Sequence, residues 1–134
     1  MLRQKERPPH KQEPEPEQYH NMKTIGIQLT DNNKDGNLLD LKINVARDSA
    51  GKIVTGLVVG NTLEQNKAII LIAHQGELKC NPDLGVGLGD IVNSSDYLEY
   101  RHKIREHFIK DGLVIETLDL YENKPLKITA NYVE

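Results

Sequence analysis

The sequence predicts an α+β fold in which two β-hairpins flank two helices, in the order β-β-α-α-β-β. Apolar residues alternate with polar ones over 39–45 and again over 126–132, as in strands with one buried face. Between them lie an apolar segment after Thr62 and a charged amphipathic segment from Asp96 to Asp111, both of helical length. Alternating strands favour antiparallel pairing. We therefore expect one small antiparallel or mixed sheet with helices packed on one face.

Composition limits the classes of function. The chain has 134 residues, enough for one domain, and a formal net charge of −3, whereas nucleic-acid-binding surfaces are usually basic. No apolar run approaches the roughly 20 residues that span a bilayer. The single cysteine, Cys80, excludes an internal disulfide and a zinc cluster, and we expect it to be buried. We expect no cofactor, no metal, no nucleic acid and no membrane as partners.

The N-terminal segment, residues 1–22, differs from the rest of the chain. It is polar, rich in proline and nearly free of aliphatic side chains, so it cannot bury enough apolar surface to offset its ordering entropy. We expect an extended arm that is mobile when the chain is alone in solution, and the sequence leaves open whether a partner orders it. A single α+β domain is expected to follow over 23–134.

The first hairpin is expected between residues 39 and 59. One strand over 23–29 precedes it. The next strand is half-buried, and its inward positions are Leu39, Leu41, Ile43 and Val45. The turn at 48–51 then leads into a second strand over 52–59, which is rich in β-branched residues.

The segment before this hairpin matches half of a calcium-binding loop. Asp31, Asn33 and Asp35 alternate and Gly36 follows, as in the first six positions of such a loop. The twelfth position, which should be a bidentate Glu, is Lys42, and the flanking segments are strand-like. A hairpin turn is the preferred interpretation, with calcium binding as the alternative.

Two helices are predicted between the hairpins. Thr62 and Gln65 have the spacing of a capping box, and the apolar run 69–73 predicts a helix buried on most sides that ends at Gly76. A second helix begins at Asp96, with Glu99 completing another box, and Gly112 ends it. Its apolar stripe consists of Tyr97, Tyr100, Ile104 and Phe108.

The last hairpin has strands over 113–121 and 126–132, joined by a turn at 122–125. The inward residues of its final strand are Leu126, Ile128, Ala130 and Tyr132.

The segment 74–90 between the helices is the most informative part of the chain. It contains Gly-Glu-x-Lys-x-x-Pro-x-x-Gly followed by further glycines, which indicates a loop with positive φ angles or close backbone contacts. The cluster over 85–90 lacks the Gly-Lys-Ser/Thr ending of a phosphate-binding loop. Tight packing of this loop against another backbone is the preferred interpretation.

Glu77 and Lys79, two residues apart in this loop, are candidate contacts to a partner protein. Glu77 as the general acid of a glycosidase is the alternative, with Asp83 or Asp90 as the second carboxylate. The spacing of the histidines, His74, His102 and His107, does not predict a metal site, and we expect them to be exposed or at helix ends.

From Leu41 to Val133 the chain resembles the small baseplate wedge family of contractile phage tails. That family includes phage protein W and the sheath-docking baseplate subunit of type VI secretion systems. The resemblance rests on Gln65-Asn66 near the start of the apolar helix, on Gly76-Glu77, and on the Pro-x-x-Gly of 82–85. The family signature Glu-Pro-Arg corresponds here to Glu77, Leu78 and Lys79, so lysine replaces the forked guanidinium of arginine.

The resemblance implies a structural protein rather than an enzyme. The implied partners are the tail sheath protein and other baseplate wedge proteins, in a sixfold virion tail baseplate or equivalent contractile injection particle made in the bacterial cytoplasm. An open sheet edge would accept an arm of the first sheath ring and so start sheath assembly. That edge would lie along 126–132 or 41–45. The implied partner-binding residues are Glu77, Lys79, Pro82, Gly85, Leu126, Ile128, Ala130 and Tyr132.

Two other functions stay open on the sequence alone. One is a lysozyme-like peptidoglycan hydrolase that uses Glu77, and the other is a free-standing binding module with no role in assembly.

Overall fold

The computed structural model describes residues 21–32 and 37–133. Its elements confirm the α+β class. The strands are β1 (Ile25–Ile27), β2 (Leu29–Asn32), β3 (Asn37–Leu41), β4 (Ile43–Arg47), β5 (Ile53–Leu57), β6 (Val59–Asn61), β7 (Leu113–Asp119) and β8 (Lys127–Tyr132). The helices are α1 (Leu63–Ile72), α2 (Ile91–Ser94) and α3 (Tyr97–Lys110), with 3₁₀ turns at Asn21–Thr24 and Leu88–Asp90. The arm expected over 1–22, apart from its last two residues, and the positions 33–36 of the calcium-loop hypothesis lie outside the described residues.

The described strands form four separate two-stranded antiparallel ladders: β1–β6, β2–β3, β4–β5 and β7–β8. The expectation of one sheet with helices on one face was therefore wrong. Three of the ladders meet at Gln28, Lys42 and Val58, each of which lies between two consecutive strands. Gln28 N–H donates to Val58 O (2.8 Å), Val58 N–H to Lys42 O (3.3 Å) and Lys42 N–H to Gln28 O (3.0 Å). These three bonds form a closed ring. At this ring the chain passes from one ladder to the next, so each strand has a different pairing partner from the strand that follows it.

The β4–β5 hairpin is present with its predicted turn, because the Asp48 carboxylate accepts the N–H groups of Ala50 and Lys52 (both 2.9 Å). Its strands, however, are not half-buried. Leu41, Ile43 and Val45 are 50, 63 and 46% exposed. Among the described elements, no helix packs extensively against this hairpin, so its apolar side chains are not covered by the core described here.

The hydrophobic core lies between α3, the β7–β8 ladder and the loop after α1. Its most deeply buried side chains are Phe108, Ile104 and Leu113. The predicted stripe of α3 is confirmed, since Tyr100, Ile104 and Phe108 are buried and Tyr97 packs against them. The helix ends are also confirmed. The Asp96 carboxylate accepts the N–H of Glu99 (3.0 Å), and Gly112 follows the helix with φ 88°.

The start of α1 is where it was predicted, but its capping box was wrong. The N-terminal Leu63 N–H donates to the Asn61 side chain (2.9 Å), and the Thr62 hydroxyl makes no cap. The Gln65 amide is used elsewhere: it accepts the N–H of Leu29 (2.9 Å) and donates to Ile27 O (2.8 Å). The Gln65 amide thus bonds the main chain on either side of Gln28, between β1 and β2. Because the amide is engaged there, it does not cap its own helix.

The burial and the end of α1 also differ from expectation. Ile70 is buried, but Ile72 is largely exposed, so the helix is not covered on most sides. Ala73 is already extended, with φ −65° and ψ 143°, three residues before Gly76. The helix ends early because the following loop turns back and bonds its last carbonyls.

Candidate functional site

The segment from His74 to Asp90, which we call the elbow, crosses the C-terminal end of α1. Its residues Leu84–Gly87 are all buried. Val86 N–H donates to Ile70 O (2.9 Å) and Gly87 N–H donates to Ala73 O (2.8 Å). The last carbonyls of a helix have no partner within the helix. Here the elbow supplies those partners and attaches itself to the core.

Glycine is required where the elbow touches the end of α1. Gly85 has φ 145°, and a Cβ there would lie 2.6 Å from Ala73 O and 2.7 Å from the His74 carbonyl carbon. Gly87 has φ 63°, and its Cβ would lie 2.6 Å from the His74 ring. This confirms that the glycines allow close packing against another backbone. The N–H groups of residues 85–87 all bond within the chain, so they are not free to bind a phosphate.

His107 holds the elbow from the side of α3. Gly85 N–H donates to its Nδ1 (3.1 Å), which requires the neutral ring with the proton on Nε2. His107 lies in the last turn of α3, which is one of the two expected positions, but it is 4% exposed and therefore buried rather than on the surface. Burial lowers the pKa of His107 below its ordinary value of 6.5, and the positive charge of Lys110 lowers it further. Its spacing of three from Ile104 places it on the buried stripe, a signal that the sequence contained.

The candidate contact residues of the elbow are exposed, but Glu77 and Lys79 do not pair with each other. Glu77 Oε2 accepts the His74 N–H (2.9 Å), and its Oε1 lies 3.7 Å from His74 Nδ1. His74 Nε2 lies 3.0 Å from Asp90 Oδ2, so this ring bridges two carboxylates. Lys79 Nζ donates to Gly76 O (3.3 Å). These bonds fix the outer turn of the elbow from within.

Pro82 and Cys80 lie on the same outer turn. Pro82 is exposed, and its carbonyl accepts the Gly76 N–H (2.7 Å), which closes the turn. Cys80 is also exposed, contrary to expectation, because it lies at the tip of this turn rather than under it. Gly85 is buried and therefore shapes the elbow from below.

Two clefts flank the elbow. One, of about 230 Å³, includes Leu78 and Leu84 in its walls, and the other, of about 280 Å³, includes Asp90 and Glu106. Asp90 is engaged by His74, and Glu106 lies 3.4 Å from Lys110 Nζ. Glu77 lines neither cleft. Neither of these two clefts, both lined by described residues, therefore places the carboxylate proposed as a general acid beside a space for a sugar.

The β7–β8 ladder has two edges with different surroundings. Gly112 and Val133 are bonded across the end of the ladder, where Val133 N–H donates to Gly112 O (3.4 Å). On the outer side of β8, Ala130 O accepts from Lys67 Nζ of α1 (3.2 Å). Counting from this bonded pair, antiparallel alternation directs the outward main-chain groups to Ile115 and its partner Ala130. The register then shifts between Ile115 and Thr117. Among the described residues, nothing bonds to the outward main-chain groups of β7. On β8, the outward carbonyl of Ala130 already accepts a hydrogen bond from Lys67.

Three of the edge residues predicted on β8 pack inward. Ala130 is buried and Ile128 packs against the core. Tyr132 donates its hydroxyl to Asp111 (2.6 Å) and accepts from Asn66 (3.3 Å). Burial and the Asp111 carboxylate together raise the pKa of Tyr132. Leu126 is exposed, just before the strand begins. These contacts fix β8, so the ladder presents β7 as its open side.

The described part of the chain contains no helix long and apolar enough to cross a membrane. It also contains no group of three metal-ligating side chains. Comparison of the chain with protein-family models, with curated proteins and with solved structures gives no match.

Gly85→Ala is expected to destabilise the protein by about 2 to 4 kcal/mol, because the new methyl group meets the backbone of α1 and φ is unfavourable. Urea unfolding monitored by circular dichroism measures this. Gly89→Ala is the matched control, since nothing lies within 4 Å of its Cβ position. Equal stability of the two variants would contradict the described packing of the elbow.

His107 is expected to make stability depend on pH. Its folded-state pKa lies below 6.5, so the unfolded chain takes up the proton first. The free energy of unfolding should therefore fall as pH drops below 6.5 and level off once the folded His107 is protonated as well. In His107→Asn, whose amide oxygen can still accept from Gly85, this part of the dependence should vanish. His102→Asn, exposed on the same helix, should behave as wild type. Identical slopes for His107→Asn and wild type between pH 7.5 and 5.5 would refute this role.

Proposed function

We propose that this chain is a structural component of a phage-type contractile tail baseplate, which joins wedge proteins to the first ring of the sheath. The resemblance over 41–133 and the order of its elements suggest this class of protein. The observation that carries the proposal is the open edge of β7 on a ladder that is otherwise firmly held. A strand from the sheath protein would pair with this edge and begin sheath assembly.

The edge of β7 has the properties that strand addition needs. Its outward N–H and C=O groups supply affinity through main-chain hydrogen bonds, as in other proteins that accept a peptide strand. The inward side chains Leu113 and Leu118 are buried against the core, so the strand is already ordered before a partner arrives. Binding then costs little conformational entropy on this side.

The elbow suits the contact to wedge proteins. Glu77 is 61% exposed at its side chain, yet it is positioned by bonds to His74 within the same turn. Lys79 and Pro82 are exposed beside it. A charged turn whose shape is fixed by buried glycine contacts can meet another protein without first becoming ordered.

Strand addition is tested by Ile115→Pro, which removes an outward N–H from β7 and places a ring on the open edge. Proline is tolerated at a free edge, so the monomer should stay folded. We expect binding to purified sheath protein to weaken at least about tenfold. Ile128→Pro makes the same change on β8 and is the matched control, with binding expected to be retained. If only Ile128→Pro abolishes binding, the contact lies on β8. Full binding by both variants would contradict strand addition.

The hydrolase alternative finds no support in the described geometry, since both Glu77 oxygens face His74 and the side chain lines neither of the two clefts beside the elbow. We expect the purified chain to leave peptidoglycan sacculi intact in a turbidity assay, and Glu77→Gln to behave identically. Asp83→Asn serves as the control for the second carboxylate. Clearing of sacculi by the wild type that disappears in Glu77→Gln would establish the enzyme instead.

A further inference from the structure

The β4–β5 ladder with the residues beside it, 41–57, forms what we call the apolar ribbon. Its large hydrophobic side chains are between 46 and 63% exposed: Leu41, Ile43, Val45, Ile53, Val54 and Leu57. Within the described ranges 21–32 and 37–133, the two strands pair only with each other, and no helix packs extensively against them. An isolated two-stranded hairpin is marginally stable in water. Such a concentration of exposed apolar side chains on one element marks an interaction surface.

The charged side chains of the apolar ribbon limit the kinds of partner that can bind to it. Lys42, Arg47 and Lys52 form no ion pair among the described residues. Lys42 Nζ reaches only Gln28 Oε1 (3.4 Å), and Arg47 Nη1 donates to Gly51 O (2.9 Å). Asp48, the acid at the turn, uses its carboxylate to accept two main-chain N–H groups. The ribbon therefore presents apolar side chains with an unneutralised positive border.

Two other kinds of occupant fit this surface less well. A membrane surface is usually met by aromatic side chains, but residues 41–57 contain no Trp, Tyr or Phe, and the tip of the hairpin is the polar turn 48–52. A second apolar ribbon packed face to face would bring the cations of two copies together, which is unfavourable.

We propose that the apolar ribbon docks into an apolar groove bordered by carboxylates on a neighbouring baseplate protein. This inference rests on the proposed function and assigns a contact to baseplate proteins that is separate from that of the elbow. The ring of bonds through Gln28, Lys42 and Val58 fixes the orientation of the ribbon at its base. The ribbon is therefore already ordered when the partner's groove binds to it. The ribbon shares no strand with the β7–β8 ladder, which leaves the sheath contact independent of it.

In the test, variants of the chain replace the wild-type chain in the intact injection particle. One variant carries Ile43→Thr, Ile53→Thr and Val54→Thr, which retain β-branched side chains and strand preference but remove apolar surface. A second variant carries Lys42→Glu and Lys52→Glu. The matched controls are Ile109→Thr and Arg105→Glu, both exposed on α3. Two readouts are taken: the amount of chain that co-sediments with purified particles, and the binding of each purified variant to purified sheath protein.

We expect both ribbon variants to be depleted from particles at least about tenfold while binding sheath protein like the wild type. Both controls should be incorporated normally. Incorporation of the ribbon variants at wild-type level overturns the inference and leaves the sheath contact standing. Absence of the wild-type chain from particles overturns the proposed function, and this inference with it.

Two measurements on the purified wild-type chain exclude the other occupants. Sedimentation equilibrium that shows an oligomer dissociated by the threonine variant would assign the surface to a second copy and overturn the inference. Binding to vesicles of phosphatidylcholine and phosphatidylglycerol that the threonine variant loses would overturn it in favour of a membrane. We expect a monomer and no binding to vesicles.

Discussion

The contact between the elbow and the end of α1 is the constraint on which the rest of the described domain depends. At Gly85 the chain passes so close to the Ala73 carbonyl that no side chain fits, and its N–H is directed at His107 on α3. One residue thus joins the end of one helix to the buried face of another. The bonds of Val86 and Gly87 to the last carbonyls of α1 extend that contact. The outer turn with Glu77 and Lys79 is attached to this base, and bonds within the turn fix its shape.

The parts of the fold that depend on local chemistry could be predicted from the sequence. The stripe of α3, its cap at Asp96 and its end at Gly112 all follow from helical spacing and backbone preferences, which act over a few residues. The close approach of the glycines over 85–87 was also predictable, because glycine is rarely replaceable where backbones touch. The partner of that approach was not, since nothing local indicates that residues 70–74 lie opposite.

The errors share a physical cause, which is competition from distant groups. Gln65 has the right spacing for a capping box, yet two main-chain groups of β1 and β2 satisfy its amide better than its own helix does. The alternation over 39–45 correctly predicted strands. Alternation shows that one face of a strand is apolar, but it does not show which part of the protein packs against that face. His107 lies at a helix end as expected, and its burial follows from its position beside Phe108 on the apolar stripe.

Lys67 makes the two edges of the β7–β8 ladder different. It is buried in α1, paired with Glu64 (2.7 Å), and its ammonium group fills the Ala130 carbonyl on the outer side of β8. A ladder with two vacant sides can be extended without limit, which is how fibrils grow. Because Lys67 is bonded to one side, the described β7–β8 ladder can take up an added strand on the β7 side alone. Any further strand in that ladder would then have to pair with the added one.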